Sequence, residues 1–146
     1  MIVPDINLLI YAYNDQATQH PAARKWWEDL LNGKTTVGLT WLAISGFIRI
    51  STHPRVLARP LPIADATAIV RQWLVHPPVR LLQPGRDFQN IFLESLERLG
   101  SGGNLTTDAQ FAAFAIENQA ELHSCDTDFM RFPGLRWRDP LKRAAS

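Results

Sequence analysis

The sequence predicts an α/β sandwich built around a mainly parallel sheet. Short apolar runs that suit buried strands recur along the chain, longer segments with helical periodicity separate them, and the connections between them are short. Strands that alternate with helices form parallel pairs, because each helix returns the chain to the edge at which the previous strand began. Ligand sites in such sheets lie beyond the carboxyl ends of the strands, so functional residues are expected just after strands.

The first half of the chain is expected to hold two strands and four helices. One strand is expected at residues 1–4 and the other from Val37 onward. Pro4 limits the first strand, because proline has no backbone N–H to donate to a neighbouring strand. The helices are expected at 7–14, 18–31, 41–51 and 62–75. Thr18 is a candidate cap of the second helix, which has Pro21 in its first turn. Proline-containing segments then end the third and fourth helices.

The second half repeats the alternation. Strands are expected at 79–82, 122–125 and, more weakly, 135–137, and helices at 87–99 and 106–119. The glycine-rich loop at 100–103 separates the two helices, and Thr106 or Thr107 is the candidate cap of the second. Because parallel strands end at the same edge of a sheet, the acidic residues that follow strands are expected at that edge.

Length and composition predict one ordinary globular domain. The chain has 146 residues, of which 46% are hydrophobic and 20% charged, so we expect a single domain over 1–146 with a basic C-terminal tail at 137–146. No apolar run reaches the roughly 18 residues of a membrane span. No Lys or Arg precedes the first apolar run, which Asp5 interrupts, so a secretory signal is not expected. Cys125 is the only cysteine, which fits a reducing cytoplasm.

Basic residues are unevenly distributed although the net charge is only +1. One group lies in the last sixteen residues and a second between residues 49 and 59. A solvated surface accounts for either group alone, but both become candidate RNA contacts if a nuclease site lies nearby. The candidate RNA-binding residues are Arg49, Arg55, Arg138, Lys142 and Arg143, with Arg136 beside them.

Three aspartates occupy the expected functional positions. Asp5 follows the first strand, Asp126 follows the strand at 122–125, and Asp108 lies in the first turn of the helix after the glycine-rich loop. Carboxylates that approach one another favour protonation, and a divalent cation keeps them ionised. Oxygen ligands of this kind suit Mg²⁺ or Mn²⁺. Asp5 or Asp108 alone is more often a helix cap than a metal ligand, and the segment 126–128 alone could be a simple turn, so position by itself leaves both interpretations open.

The opening VPDINLLIYAYN, the segment NLTTDAQFAAFAIENQAEL and the closing HSCDTDF resemble the PIN-domain family, and specifically the VapC-type toxins of bacterial toxin–antitoxin pairs. WLAISGFIRISTHPRV and FPGLRWRDPL resemble flanking family segments, so the likeness spans nearly the whole chain. The resemblance implies a three-layer α/β/α sandwich and a Mg²⁺-dependent endoribonuclease that cleaves structured RNA such as tRNA or rRNA. It also implies a VapB-type antitoxin as partner and a homodimer.

Carried onto this chain, the resemblance assigns catalysis and metal binding to Asp5, Asp108 and Asp126. It gives supporting roles to Asn7, Ser124 and Asp128.

One position departs from the family pattern. The family has a Glu in the third helix, and that place falls on Gly46, or on Ser45 if the register slips. A single Mg²⁺ is therefore expected in preference to two. Gly46→Glu is expected to tighten metal binding provided that the helix tolerates it, and the replacement of a helix-interior glycine should not in itself reduce stability. The departure also leaves open a catalytically weakened PIN-like RNA- or protein-binding module. A nuclease of the same fold that acts on DNA or on particular nucleic-acid structures is a further alternative. A receiver-like signalling domain fits poorly, because Asp5 has no acidic neighbour and Lys142 lies in the tail.

Overall fold

A central parallel sheet organises the chain in the computed structural model, which describes residues 1–142. Its strands are β1 (Ile2–Pro4), β2 (Val37–Leu39), β3 (Val79–Leu81), β4 (Glu121–His123) and β5 (Arg136–Arg138). Every adjacent pair is parallel, and the order across the sheet is β3-β2-β1-β4-β5. The predicted parallel sheet is confirmed, and β1 at its centre brings Asp5 to the middle of the carboxyl edge.

Helices cover both faces of the sheet. They are α1 (Ile6–Tyr13), α2 (His20–Leu31), α3 (Trp41–Ser51), α4 (Ile63–Val75), α5 (Phe88–Leu99) and α6 (Leu105–Glu117), with a short 3₁₀ helix at Thr127–Arg131. The chain crosses from β1 to β2 to β3 in one direction and then returns to β4. Right-handed crossovers therefore place α1 to α4 on one face and α5 and α6 on the other. The contacts of α1 with α2 and α3, and of α5 with α6, agree with this three-layer arrangement.

The ends of two strands differ from the sequence expectation. β4 ends at His123, so Ser124 and Cys125 lie beyond the strand and not within it. β5 runs to Arg138, so the first part of the expected basic tail is a strand of the sheet. Both shifts follow from pairing, because β4 and β5 stay in register from Glu121 opposite Arg136 to His123 opposite Arg138.

The predicted threonine caps are wrong. Gln19 flanks the start of α2 without a side-chain cap bond, while Thr18 donates to the Gln19 side chain. Pro21 does lie in the first turn of α2. At α6, the backbone turns through Gly102 and Gly103, whose carbonyls accept from the first amides of the helix. The helix therefore begins at Leu105, and both candidate threonines lie inside its first turn.

The core lies on both sides of the sheet and holds the site's elements in place. Trp27, Trp73 and Phe47 are buried between the sheet and the helices of one face, and Phe111 and Phe129 are buried on the other. Leu122 of β4 is fully buried in the sheet, and α6 packs against β4 and β1. Within residues 1–142, no helix has the length and apolar character that crossing a membrane requires.

Candidate active site

The site begins at the carboxyl end of β1. Asp5 is the first residue after the strand and caps α1, and its Oδ1 accepts from the Ile6 backbone N–H at 2.7 Å. Its own backbone N–H donates to the His123 carbonyl at 2.9 Å, which ties the ends of β1 and β4 together. Asp5 is only 8% exposed, so its carboxyl group is held rigidly against the sheet.

Ser124 connects Asp5 to the residues after β4. Its hydroxyl donates to Asp5 Oδ2 at 2.6 Å and accepts from the Asp126 backbone N–H at 3.0 Å. The Asn7 side-chain amide donates to the Ser124 hydroxyl oxygen at 3.4 Å. One donor and two lone pairs are all that a serine hydroxyl offers, so Ser124 is fully used in orienting its neighbours. The structure thus brings Asn7 and Ser124, both predicted to support the site, into one hydrogen-bonded group with Asp5.

Three further carboxylates converge beside this network. Asp108 lies in the first turn of α6, Asp126 caps the 3₁₀ helix, and Asp128 lies in the first turn of that helix. Each offers an oxygen within 4.8 Å of the others, and the Asp128 N–H donates to Asp126 Oδ1 at 2.9 Å. Asp128, which the sequence placed in a supporting role, lies with Asp108 and Asp126. Asp5 approaches this group of three through Ser124 and is not a member of it.

Burial and the neighbouring negative charges raise the pKa values of Asp108 and Asp5. Burial, followed in decreasing order by the charges of Asp126, Asp5 and Asp128, raises the pKa of Asp108 to about 7. Burial also raises the pKa of Asp5, against the lowering effect of its bonds from Ser124 and Ile6. Charge repulsion of this kind is relieved by a bound cation.

The donor set fits a hard divalent cation. Carboxylate oxygens from Asp108, Asp126 and Asp128 lie close enough to share one ion, and Asp5 lies next to them. Asn7 adds an oxygen acceptor, since its Oδ1 is buried and has no hydrogen-bond partner within residues 1–142. Oxygen-only ligands without Cys or His are typical of Mg²⁺ and Mn²⁺ sites. The residues present therefore fit the ion that the sequence predicts.

Two tryptophans support the site in ways that sequence reasoning missed. The Trp26 indole N–H donates to His123 Nδ1 at 3.0 Å, and His123 Nε2 then donates to Glu121 at 2.7 Å. Burial lowers the pKa of His123, which favours the neutral ring that accepts from Trp26. The Trp137 indole N–H donates to the Ser124 carbonyl at 3.0 Å. These partners are distant along the chain, so no local pattern in the sequence indicates them.

The predicted RNA contacts divide between the two ends of the sheet. Arg138 is exposed at the carboxyl end of β5, beside the site, and its carbonyl accepts from the Ser124 N–H at 3.1 Å. Arg136 lies at the amino end of the same strand and donates to the Gln119 carbonyl, so it does not belong with the site. Arg49 and Arg55 are exposed near the end of α3. Lys142 is exposed, and Arg143 lies outside the described residues.

Gly46 contradicts the expectation that a glutamate fits there. A Cβ atom at this position would lie 2.3 Å from Cδ1 and 2.7 Å from Cγ1 of Ile6. Gly46 is buried, and α3 packs directly against the start of α1 at this point. Gly46→Glu would therefore force the Ile6 side chain to move, and the glycine is explained by the close approach of two helices.

Cys125 offers no reactive thiolate. Burial and the neighbouring Asp139 carboxylate raise the pKa of its thiol to about 12. The thiol donates to Asp139 at 3.5 Å. A protonated thiol is a poor nucleophile, which removes cysteine chemistry from the site.

The chain is similar to known proteins over nearly its whole length. The family model described as the PIN domain matches residues 2–135. The chain is 54% identical to Ribonuclease VapC33 of Mycobacterium tuberculosis, over 97% of this chain and 99% of that protein. It is 36% identical to Ribonuclease VapC37 of the same organism, over 96% and 97% of the two chains.

Solved structures share the fold at lower sequence identity. VapBC2 from Rickettsia felis, bound to a DNA fragment from its promoter, matches with a TM-score of 0.68 at 19% identity, over 94% of this chain and 98% of that one. Mycobacterium tuberculosis VapC20, a toxin that cleaves the sarcin–ricin loop, also matches with a TM-score of 0.68 at 19% identity, over 93% and 99%. Both agree with the three-layer architecture.

Proposed function

The chain belongs to the PIN-domain family, and from this premise we propose that it is a Mg²⁺-dependent endoribonuclease that acts as the toxin of a type II toxin–antitoxin pair. The acid cluster carries the proposal, because Asp108, Asp126 and Asp128 place their oxygens within 4.8 Å of one another. The 54% identity of the chain to a protein named a VapC ribonuclease supports the reaction class.

The ion would be held by Asp5, Asp108 and Asp126, together with Asp128. These oxygen ligands also suit Mn²⁺. When bound, a divalent cation supplies the positive charge that a phosphodiester needs to approach four carboxylates, and it activates water. The chain's own part is to position these groups. Ser124 aligns Asp5 and the Asp126 backbone at the same time. Asn7 contributes a buried Oδ1 that has no hydrogen-bond partner within residues 1–142, while its amide nitrogen donates to the Ser124 hydroxyl.

The partners follow from the same proposal. We take structured RNA, such as tRNA or rRNA, as the substrate, a VapB-type antitoxin as the neutralising partner, and a homodimer as the assembly. Activity on such RNA requires the cytoplasm, which is the compartment that the single cysteine also favours.

A cleavage assay tests the proposal. Wild-type protein is incubated with a tRNA and rRNA mixture, or with DNA of similar length, in Mg²⁺, Mn²⁺ or EDTA. We expect RNA cleavage with either metal and none in EDTA. Asp108→Asn should reduce cleavage by at least about a hundredfold, the scale on which removal of catalytic charge stabilisation acts. Asp65→Asn is the matched control, because Asp65 also lies in the first turn of a helix but is exposed and distant from the cluster.

The same assay separates the alternatives. RNA binding without cleavage under any metal condition would indicate a non-catalytic binding module. Cleavage of DNA in preference to RNA would indicate a deoxyribonuclease of the same fold.

A further inference from the structure

A neutral pocket of about 300 Å³ lies between α3, α5, α6 and the loop after β3. Phe88 and Phe114 belong to its apolar lining, and Trp41 stands at its side. Its polar groups are the Ser45 hydroxyl and the side-chain amides of Gln83 and Gln110. Among residues 1–142, no Asp, Glu, Lys, Arg or His lines the pocket, in contrast to the acid cluster at the same edge of the sheet.

The pocket lies at the same edge of the sheet as the candidate active site. Gln83 follows β3 and α3 begins directly after β2, as Asp5 follows β1, and β3 is two strands from β1, about 10 Å at ordinary strand spacing. On α3, Ser45 precedes Gly46, which packs against Ile6, the residue that follows Asp5. A strand of nucleic acid whose phosphate reaches the carboxylates could therefore place a neighbouring base in this pocket.

The chemistry of the lining suits a nucleobase and not a phosphate. No cationic side chain of the part of the chain that the structure describes lines the pocket, so an anion finds no partner among these residues. Each glutamine amide offers both a donor and an acceptor, which matches the polar edge of a base. The Ser45 hydroxyl donates to the Trp41 carbonyl, so its remaining lone pairs are acceptors. The volume lies at the small end of ligand sites, which favours a single ring system over a whole nucleotide.

Trp41 provides an aromatic surface beside these amides. It is 53% exposed, although tryptophan usually buries most of its area. Trp41, Ser45 and Arg49 are spaced four residues apart on α3, so they form one exposed stripe along the helix. A base that stacks on the indole would leave its backbone directed along this stripe toward the Arg49 guanidinium.

We infer that this pocket binds one unpaired nucleobase of the RNA, next to the phosphodiester that is cut, by stacking on Trp41 and hydrogen bonding to Gln83 and Gln110. The inference rests on the proposed function and adds to it that the nucleotide beside the cleavage point is single-stranded. Base stacking on an aromatic side chain is sequence-tolerant, whereas the two amides confer a preference among bases.

The test measures RNA binding by the full chain carrying Asp108→Asn, so that the RNA is not cut. This protein is the parent into which the further changes are introduced. The probe is a fluorescently labelled ten-nucleotide single-stranded RNA, together with ten versions that each lack one base. We expect Trp41→Leu to weaken binding about tenfold, which corresponds to the loss of one stacked base. Trp41→Phe should lose only about twofold, since it retains a stacking ring. Val75→Ala, which trims another exposed apolar side chain on α4, should change nothing.

The base-lacking RNAs supply the decisive comparison. At one position, removal of the base should weaken binding to the parent protein about tenfold and should leave binding to Trp41→Leu unchanged. Equal affinity of the parent and Trp41→Leu, or equal sensitivity of both to every missing base, would overturn the inference while RNA binding itself stands. No RNA binding by the parent would overturn the proposed function together with it. The ultracentrifuge measures the molecular mass of the assembly. If the Trp41→Leu variant forms a smaller or larger assembly than the protein without this change, the surface around Trp41 is a subunit contact, and the inference is overturned.

Discussion

The Ser124 hydroxyl donates to the Asp5 carboxylate at 2.6 Å, although the two residues are 119 positions apart in the chain. The bond joins the carboxyl ends of β1 and β4, where Ser124 also receives the Asp126 N–H. One buried hydroxyl thus sets the position of two of the proposed metal-binding residues.

Ser124→Ala should therefore weaken both the fold and the metal site. Loss of a buried hydrogen bond to a carboxylate costs about 2 kcal/mol of unfolding free energy. Loss of a group that orients a ligand weakens metal binding by about tenfold or more. Urea unfolding and Mg²⁺ calorimetry measure the two effects. Ser95→Ala removes a hydroxyl that bonds only within α5 and is the matched control. Equal behaviour of the two variants would remove Ser124 from the site.

Asp108 should make the metal-free protein less stable as pH rises. Its pKa is raised from 3.8 to about 7 in the folded state, so between about pH 4 and 7 the folded chain retains a proton that the unfolded chain releases. Stability falls where the folded state binds more protons, and this loss is complete above about pH 7. A shift of this size corresponds to about 4 kcal/mol at about 1.4 kcal/mol per unit. Solvent screening of a half-buried carboxyl reduces the expected effect to about 2 kcal/mol.

Asp108→Asn removes this ionisation, so in EDTA at pH 8 the variant should be more stable than wild type by about that amount. Added Mg²⁺ should raise the melting temperature of wild type and not that of the variant. Thermal unfolding at pH 5 and pH 8, with EDTA or Mg²⁺, measures both effects. A variant that is less stable than wild type at pH 8 in EDTA would contradict the repulsion described here. Asp65→Asn should follow wild type throughout.

Gly46 should be intolerant of any side chain while Ile6 is present. Gly46→Ala places a Cβ 2.3 Å from Ile6 Cδ1, and overpacking of this kind costs about 1–3 kcal/mol. Ile6→Ala opens the space that the new methyl group needs. The double variant Ile6→Ala/Gly46→Ala should thus be destabilised by less than the sum of the single changes. Urea unfolding of the four proteins measures this coupling, and strict additivity would show that the two side chains do not compete for one space.

The basic residues at the carboxyl edge should govern how RNA binding depends on salt. Arg138→Gln with Lys142→Gln should lower the slope of log affinity against log salt by up to about 0.7 for each lost phosphate contact. Arg136→Gln is the control, since Arg136 lies at the opposite end of β5. The position of cleavage should not move, because phosphate contacts carry no base information. If the Arg136 variant loses as much slope as the pair, RNA does not follow the carboxyl edge.

The sequence by itself determined the order of the elements and the edge at which the acids lie. Alternating strands and helices require parallel pairing, and parallel strands present the residues that follow them at one edge. Asp5 and Asp126 follow strands and Asp108 begins a helix, so their placement at that edge could be read from local order alone. The sheet, its layers and these three positions agree with the prediction.

Only the tertiary structure decided which groups touch. It placed Asp128 with Asp108 and Asp126, and it connected Asp5 to them through the Ser124 hydroxyl. It paired Trp26 with His123, a contact that spans 97 positions, and it showed that Gly46 makes room for Ile6. These relationships depend on strand register and on how closely helices pack, which are set by the whole core at once. Local periodicity specifies which face a residue occupies, but the distance between two side chains remote in sequence is settled only when every layer is packed together.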